Sequence, residues 1–158
     1  MSCGIALVVS LLLSDPNVAL AAAQPLAGAD APVSVAGEPL FANIVLRAGA
    51  LRSVVRQWSA NLASTPDWYM GQAELDRFTV ETTDLAELDM QGHVILKARG
   101  TDGDLKCILR GISEDMPKKV EAVATAATPA ERRVALDELA YLLNDNVEVI
   151  TAPPQPEV

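Results

Sequence analysis

Apolar residues recur at alternating three- and four-residue intervals from Phe41 through Ile44, Ala48, Leu51, Val55 and Trp58 to Leu62. This spacing predicts one helix with a single buried stripe, opened by Pro39 in its first turn. Val45 and Val54 widen the stripe, which favours a helix lying on a domain core over the narrow seam of a two-stranded coiled coil. Arg52 and Arg56 fall one turn apart on the opposite side and read as a solvated face. Ser64 or Thr65, followed by Pro66 and Asp67, is a cap that predicts a second, short helix running to about Asp76, with Trp68 and Tyr69 at its start.

From Arg77 the pattern reads with a period of two. Phe78, Val80 and Thr82 alternate with Arg77, Thr79 and Glu81; further on, Leu88, Met90, Val94, Leu96 and Ala98 alternate with Asp89, Gln91, His93, Lys97 and Arg99. Asp102-Gly103 supplies the dipeptide of a tight hairpin turn, after which Leu105, Cys107 and Leu109 continue the apolar set. These segments predict a three-stranded antiparallel meander with one buried and one open face. Ser113 to Pro117 then reads as the start of a helix with the stripe Met116, Val120, Val123 and Ala127. Thr128 with Glu131 forms a capping box for another helix, whose inward residues are Ala135, Leu136, Leu139, Ala140 and Leu143. Val147 to Ile150 reads as a closing strand. The predicted fold class is α+β, with helices packed on one face of a mostly antiparallel sheet in the order α-α-β-β-β-α-α-β.

Around this single domain, residues 38–151, the composition shifts. Residues 1–23 resemble a secretory signal peptide in the nine-residue apolar run, Ile5 to Leu13, and the small residues Ala19, Ala21 and Ala23, while Asp15 and Pro16 between them count against it. The run is too short to span a bilayer as a helix, so no stable membrane span is expected. The basic residues that normally precede such a run are missing, the first Lys or Arg being Arg47. The apolar run and the small residues still make a periplasmic or secreted location the expectation, with a cytoplasmic protein as the alternative. Residues 24–37 read as an Ala/Pro-rich linker and 152–158 as a Pro-rich tail.

Charge and chemistry narrow the function. With 21 acidic against 12 basic side chains the net charge is −9, which argues against nucleic acid as a partner. Two cysteines, Cys3 and Cys107, and one histidine, His93, cannot supply a thiolate or imidazole metal cluster. No cofactor is expected: the chain has no Walker loop, no G-x-G-x-x-G and no G-x-S-x-G elbow. Asp102-Gly103-Asp104 lacks the further ligands of a calcium loop and reads as a turn. Cys107 is expected to be shielded on the buried sheet face and His93 exposed on the open one.

The hairpin register pairs Arg99 with Lys106, Lys97 with Ile108 and Ile95 with Arg110. This places four cations around two isoleucines on the open face. Like charges opposite one another disfavour a sheet, so a compensating partner is expected there, weighed against a merely solvated face. The resulting expectation is a non-enzymatic accessory or adaptor domain, acting through a protein partner or self-association, with Ile95, Lys97, Arg99, Lys106, Ile108 and Arg110 as partner-binding residues. The alternatives are a small-ligand-binding domain with Trp58, Trp68 and Tyr69 lining a cleft, and an enzyme with a site of unfamiliar type.

Overall fold

The computed structural model of the protein describes residues 34–100 and 103–152. Four helices fill them: α1 (Pro39–Ser64), α2 (Gln72–Arg99), α3 (Gly103–Thr125) and α4 (Pro129–Thr151). The expected signal-peptide-like leader, most of the linker and nearly all of the tail lie outside the described residues.

One helix and the start of another form as their patterns predict. In α1 the buried residues are Phe41, Ile44, Ala48, Leu51, Val55, Trp58 and Leu62, with Pro39 in the first turn. In α4 the Thr128 hydroxyl accepts from the Glu131 backbone N–H at 3.2 Å, and the Glu131 carboxylate accepts from the Thr128 N–H at 3.1 Å. This closes the capping box and satisfies two backbone donors that a helix start otherwise leaves open.

The predicted sheet is overturned, because the described residues are entirely helical outside the connections. Residues 77–99, read as two strands, belong to α2. Its buried stripe is Leu75, Phe78, Thr82, Leu85, Asp89, Gly92 and Leu96, a three-and-four spacing in which a threonine, an aspartate and a glycine occupy core positions. Those three residues interrupt the apolar period, while the outward-facing Val80, Val94 and Ile95 add apolar residues out of phase, so a true helix imitates alternation. α3 holds Leu105, Leu109, Ile112, Met116, Val120 and Val123 in the core. The stripe runs unbroken through Pro117, which lies inside the helix rather than in the first turn of a new one. Ala127 is exposed beyond its end. Gly103 opens α3 instead of completing a hairpin turn; Asp102 lies outside the described residues. Val147 to Ile150 continues α4, and the short helix expected before Asp76 is replaced by a connection that ends at Gly71.

Each helix packs on its chain neighbours, and α4 closes the ring on α1. The diagonal pairs meet only through side chains. Cross-links between α1 and α2 join Glu38 to Arg99, Arg47 to Asp84 and Trp58 to Glu74. One number falls as the other rises, so these helices are antiparallel, as connections of a few residues require throughout an up-down-up-down bundle. Gly100, at φ +68°, takes the left-handed conformation that ends α2 and turns the chain toward α3. At Gly92 side chains of the neighbouring helices come close: an added Cβ would lie 3.1 Å from Leu109 and 3.2 Å from Phe41.

One end of the bundle is fastened by Arg132. Its guanidinium donates to the carbonyls of Trp68 at 3.1 Å and Ala126 at 3.3 Å and lies 4.5 Å from the Tyr69 ring centre. A single planar cation thus joins the α1–α2 connection to the α3–α4 connection.

Candidate interaction surface

The six residues expected to form one cationic face are spread over two helices. Ile95, Lys97 and Arg99 lie near the end of α2, and Lys106, Ile108 and Arg110 near the start of α3. Residues two apart in a strand share a face, but two apart on a helix they diverge by about 200°. Lys97 is therefore separated from Ile95 and Arg99, and Ile108 from Lys106 and Arg110. Arg99 is already answered by Glu38 in a two-pronged contact with both N···O distances at 2.7 Å, and Arg110 lies 3.6 Å from Glu114. Ile108 is half-buried against the core. The strand register that set these cations opposite one another, and so motivated a compensating partner, is absent.

Other expectations shift in the same way. Cys107 is exposed, because helical phase turns it away from Leu105 and Leu109 instead of alongside them. His93 is half-buried, and its Nδ1–H donates to the Lys106 carbonyl at 2.6 Å, joining α2 to α3. Arg52 is not on a solvated face; it is half-buried and donates to Asn144 between α1 and α4. Among the three aromatics of the ligand reading, Trp58 is in the core, donating to Glu74 at 2.7 Å with its ring 4.6 Å from Phe78. Trp68 packs on the core at the bundle end, and Tyr69 faces solvent under Arg132. A cleft of about 210 Å³ beside Trp58 is lined by Val54, Glu74, Arg77, Phe78 and Glu81, without Trp68 or Tyr69.

Another opening lies where α3 ends and α4 begins. It is a shallow, open cleft of about 560 Å³, floored by Ala122, Ala126, Ala130, Val134 and Ala135, with Glu131 and Glu138 on its rim. Small residues on both helices leave it open: alanine side chains cannot fill the groove between two helix ridges. Val134 is 57% exposed, and Tyr141, seven residues further along the same face, is 72% exposed. Around this apolar line α4 carries Asp137, Glu138, Asp145 and Glu148, while one of its two arginines, Arg132, is committed inward. Burial, with the neighbouring Glu148 charge, lifts the Asp145 carboxyl above its ordinary range. The face is thus apolar along its axis and strongly negative at its edges. Lys119 offsets part of that charge by pairing with Glu138 at 2.8 Å.

A second polar arrangement is internal. Asp89 of α2 and Asn146 of α4 are both fully buried, and the Asn146 amide donates to Asp89 Oδ2 at 2.8 Å across the bundle diagonal. Burial drives the Asp89 carboxyl up to about 8, against which the bond from Asn146 acts only partly. Neither residue stood out in the sequence; the signal available was the combination of Asp89 and Gly92 at two successive positions of the α2 core stripe. Val134 and Tyr141 could have been found as apolar residues out of phase with Ala135, Leu139 and Leu143.

Among the described residues no group of three or more His, Cys, Asp or Glu side chains is placed to hold a metal ion. Nor is any helix there long and apolar enough to cross a membrane. Compared with known proteins, the chain matches no family model, no curated protein and no solved structure.

Proposed function

We propose that the bundle is a non-enzymatic adaptor domain that receives a basic amphipathic helix of a protein partner along α4 and the α3–α4 cleft. The observation that carries this reading is the exposed line of Val134 and Tyr141 beside an alanine-floored groove with acidic edges. An amphipathic helix presents apolar residues at three- and four-residue spacing, which a groove between two helices accepts, and lysines or arginines on its flanks would meet Asp137, Asp145 and Glu148. The apolar contact supplies affinity, and the charges supply orientation and a faster encounter.

The test uses the full chain and two synthetic helical peptides with the same leucine stripe, one flanked by lysines and one by glutamates. Backbone amide shifts should map the lysine peptide to the α3–α4 face, the glutamate peptide should not bind, and Val134→Ser with Tyr141→Ser should abolish the binding. Lysine-peptide shifts scattered over the other helices, or binding untouched by the double substitution, would refute the proposal. Dimerisation of the wild type that the double variant loses would assign the face to a second copy of the chain and refute it equally.

A further inference from the structure

Two planar side chains meet at the bundle diagonal with one hydrogen bond between them and one oxygen left over on each. Asn146 Nδ2–H donates to Asp89 Oδ2, while Asp89 Oδ1 and Asn146 Oδ1 have no partner. Both leftover atoms are acceptors if Asp89 is ionised, and both are buried. Burying two such acceptors, one of them charged, is costly. One proton removes the conflict: as a carboxylic acid, Asp89 accepts at Oδ2 and donates from Oδ1, and a primary amide offers the complementary donor and acceptor.

We propose that Asp89 and Asn146 form a reciprocal acid–amide pair, with Asn146 Nδ2–H on Asp89 Oδ2 and Asp89 Oδ1–H on Asn146 Oδ1, and that this pair is a pH-sensitive latch between α2 and α4. The latch is closed while Asp89 holds its proton. It opens when that proton leaves to solvent and a buried carboxylate faces the Asn146 carbonyl oxygen.

The surroundings leave the proton as the remedy. α1 turns Ile44, Ala48 and Leu51 inward and α3 turns in Leu109, Ile112 and Met116, none of which carries charge. The cations and imidazole nearest the core are engaged elsewhere: Arg52 with Asn144, Arg132 with the carbonyls of Trp68 and Ala126, and His93 with the carbonyl of Lys106. On Asp89 itself the acting influences are burial and the Asn146 bond, with no neighbouring charge among them. The carboxyl lies far above its ordinary range for that reason, so the latch opens on the alkaline side of neutrality.

The experiment follows the Asp89 side-chain carboxyl carbon and the Asn146 side-chain amide by NMR in the full-length protein from pH 5 to 10. The carboxyl carbon should stand at the neutral-acid position at pH 6 and titrate with a midpoint near 8. The Asn146 amide should shift with the same midpoint. Hydrogen exchange of core amides in α2 and α4 should rise, from pH 5 up to that midpoint, by tenfold or more beyond the rise in Asp89→Asn, which keeps a neutral reciprocal pair, and the excess should level off above it. An ionised Asp89 at pH 6, or an Asn146 amide silent through the titration, would overturn the proposal. So would equal exchange profiles in the two proteins. Should Asp89→Asn fail to fold, the two wild-type resonances decide the matter alone.

Discussion

Replacing Asp89 by asparagine should make the protein more stable at neutral pH, although it removes a specific buried carboxyl group. The folded-state value of about 8 lies above the ordinary 3.8, so between these limits the native protein retains a proton that the unfolded chain gives up. Stability then falls as pH rises, by about 1.4 kcal/mol per unit, and levels off once the folded form also ionises near 8. The contribution is fully present below about 4 and lost above about 8. At pH 7, some three units above the unfolded value, the accumulated loss is on the order of 4 kcal/mol. That is a large share of the roughly 5 to 15 kcal/mol that holds a domain of this size together. Asparagine does not titrate, and its amide can exchange both hydrogen bonds with Asn146. Urea unfolding followed by circular dichroism, for both proteins at pH 4, 5, 6, 7 and 8, isolates the effect, because every other titrating group cancels in the difference. Near-equal stability at pH 4 and a widening advantage for Asp89→Asn up to pH 8 are expected. A difference that stays constant across the series would show that the folded carboxyl titrates like an ordinary one and would refute the reasoning.

Gly92→Val places methyl groups where even a Cβ would lie 3.1 Å from Leu109 and 3.2 Å from Phe41. The resulting overpacking should outweigh the relief of removing a helical glycine and destabilise the fold by about 1 to 3 kcal/mol in urea unfolding. An unchanged midpoint would mean that α1 and α3 do not close over α2 at this point. Cys107, exposed on the outer side of α3, should react with a thiol reagent in the native protein nearly as fast as in denaturant, read by intact mass. Strong protection would restore the buried-face placement that alternation had suggested.

Where one face of a helix is apolar and uninterrupted, its pattern is legible. The α1 stripe from Phe41 to Leu62 and the Thr128–Glu131 box of α4 could be read residue by residue, because the hydrophobic period and the capping chemistry there agree. The α3 stripe is equally regular, but its pattern reads as a strand followed by a helix. Cys107 between Leu105 and Leu109 imitated alternation, and Pro117 after Ser113-Glu114-Asp115 imitated a helix start. Pro117 is tolerated inside α3 at the loss of one backbone hydrogen bond, which the packing of Met116 and Val120 offsets. A hairpin over Leu88 to Leu109 implies the cationic face through strand geometry alone, and that geometry is replaced by the helices α2 and α3.

The residues that hid α2 are also those that carry its chemistry. A helix with leucine at positions 82, 89 and 92 would have been recognised at once, and would have had nothing to distinguish one axial register against α4 from another. Thr82 can be buried because its hydroxyl donates to the Phe78 carbonyl at 2.9 Å within its own helix. Gly92 lets Phe41 and Leu109 approach, which seals the region one turn from Asp89. Asp89 must then find its partner across the diagonal, and Asn146 is the polar residue that α4 buries against it. Sliding α4 by one turn would bring an aliphatic residue such as Leu143 or Ile150 to that height and leave Asp89 unpaired, a penalty that an all-leucine core would not impose. Breaking the apolar period therefore costs α2 some of its legibility, and supplies the bundle with a discriminating contact that hydrophobic burial alone lacks.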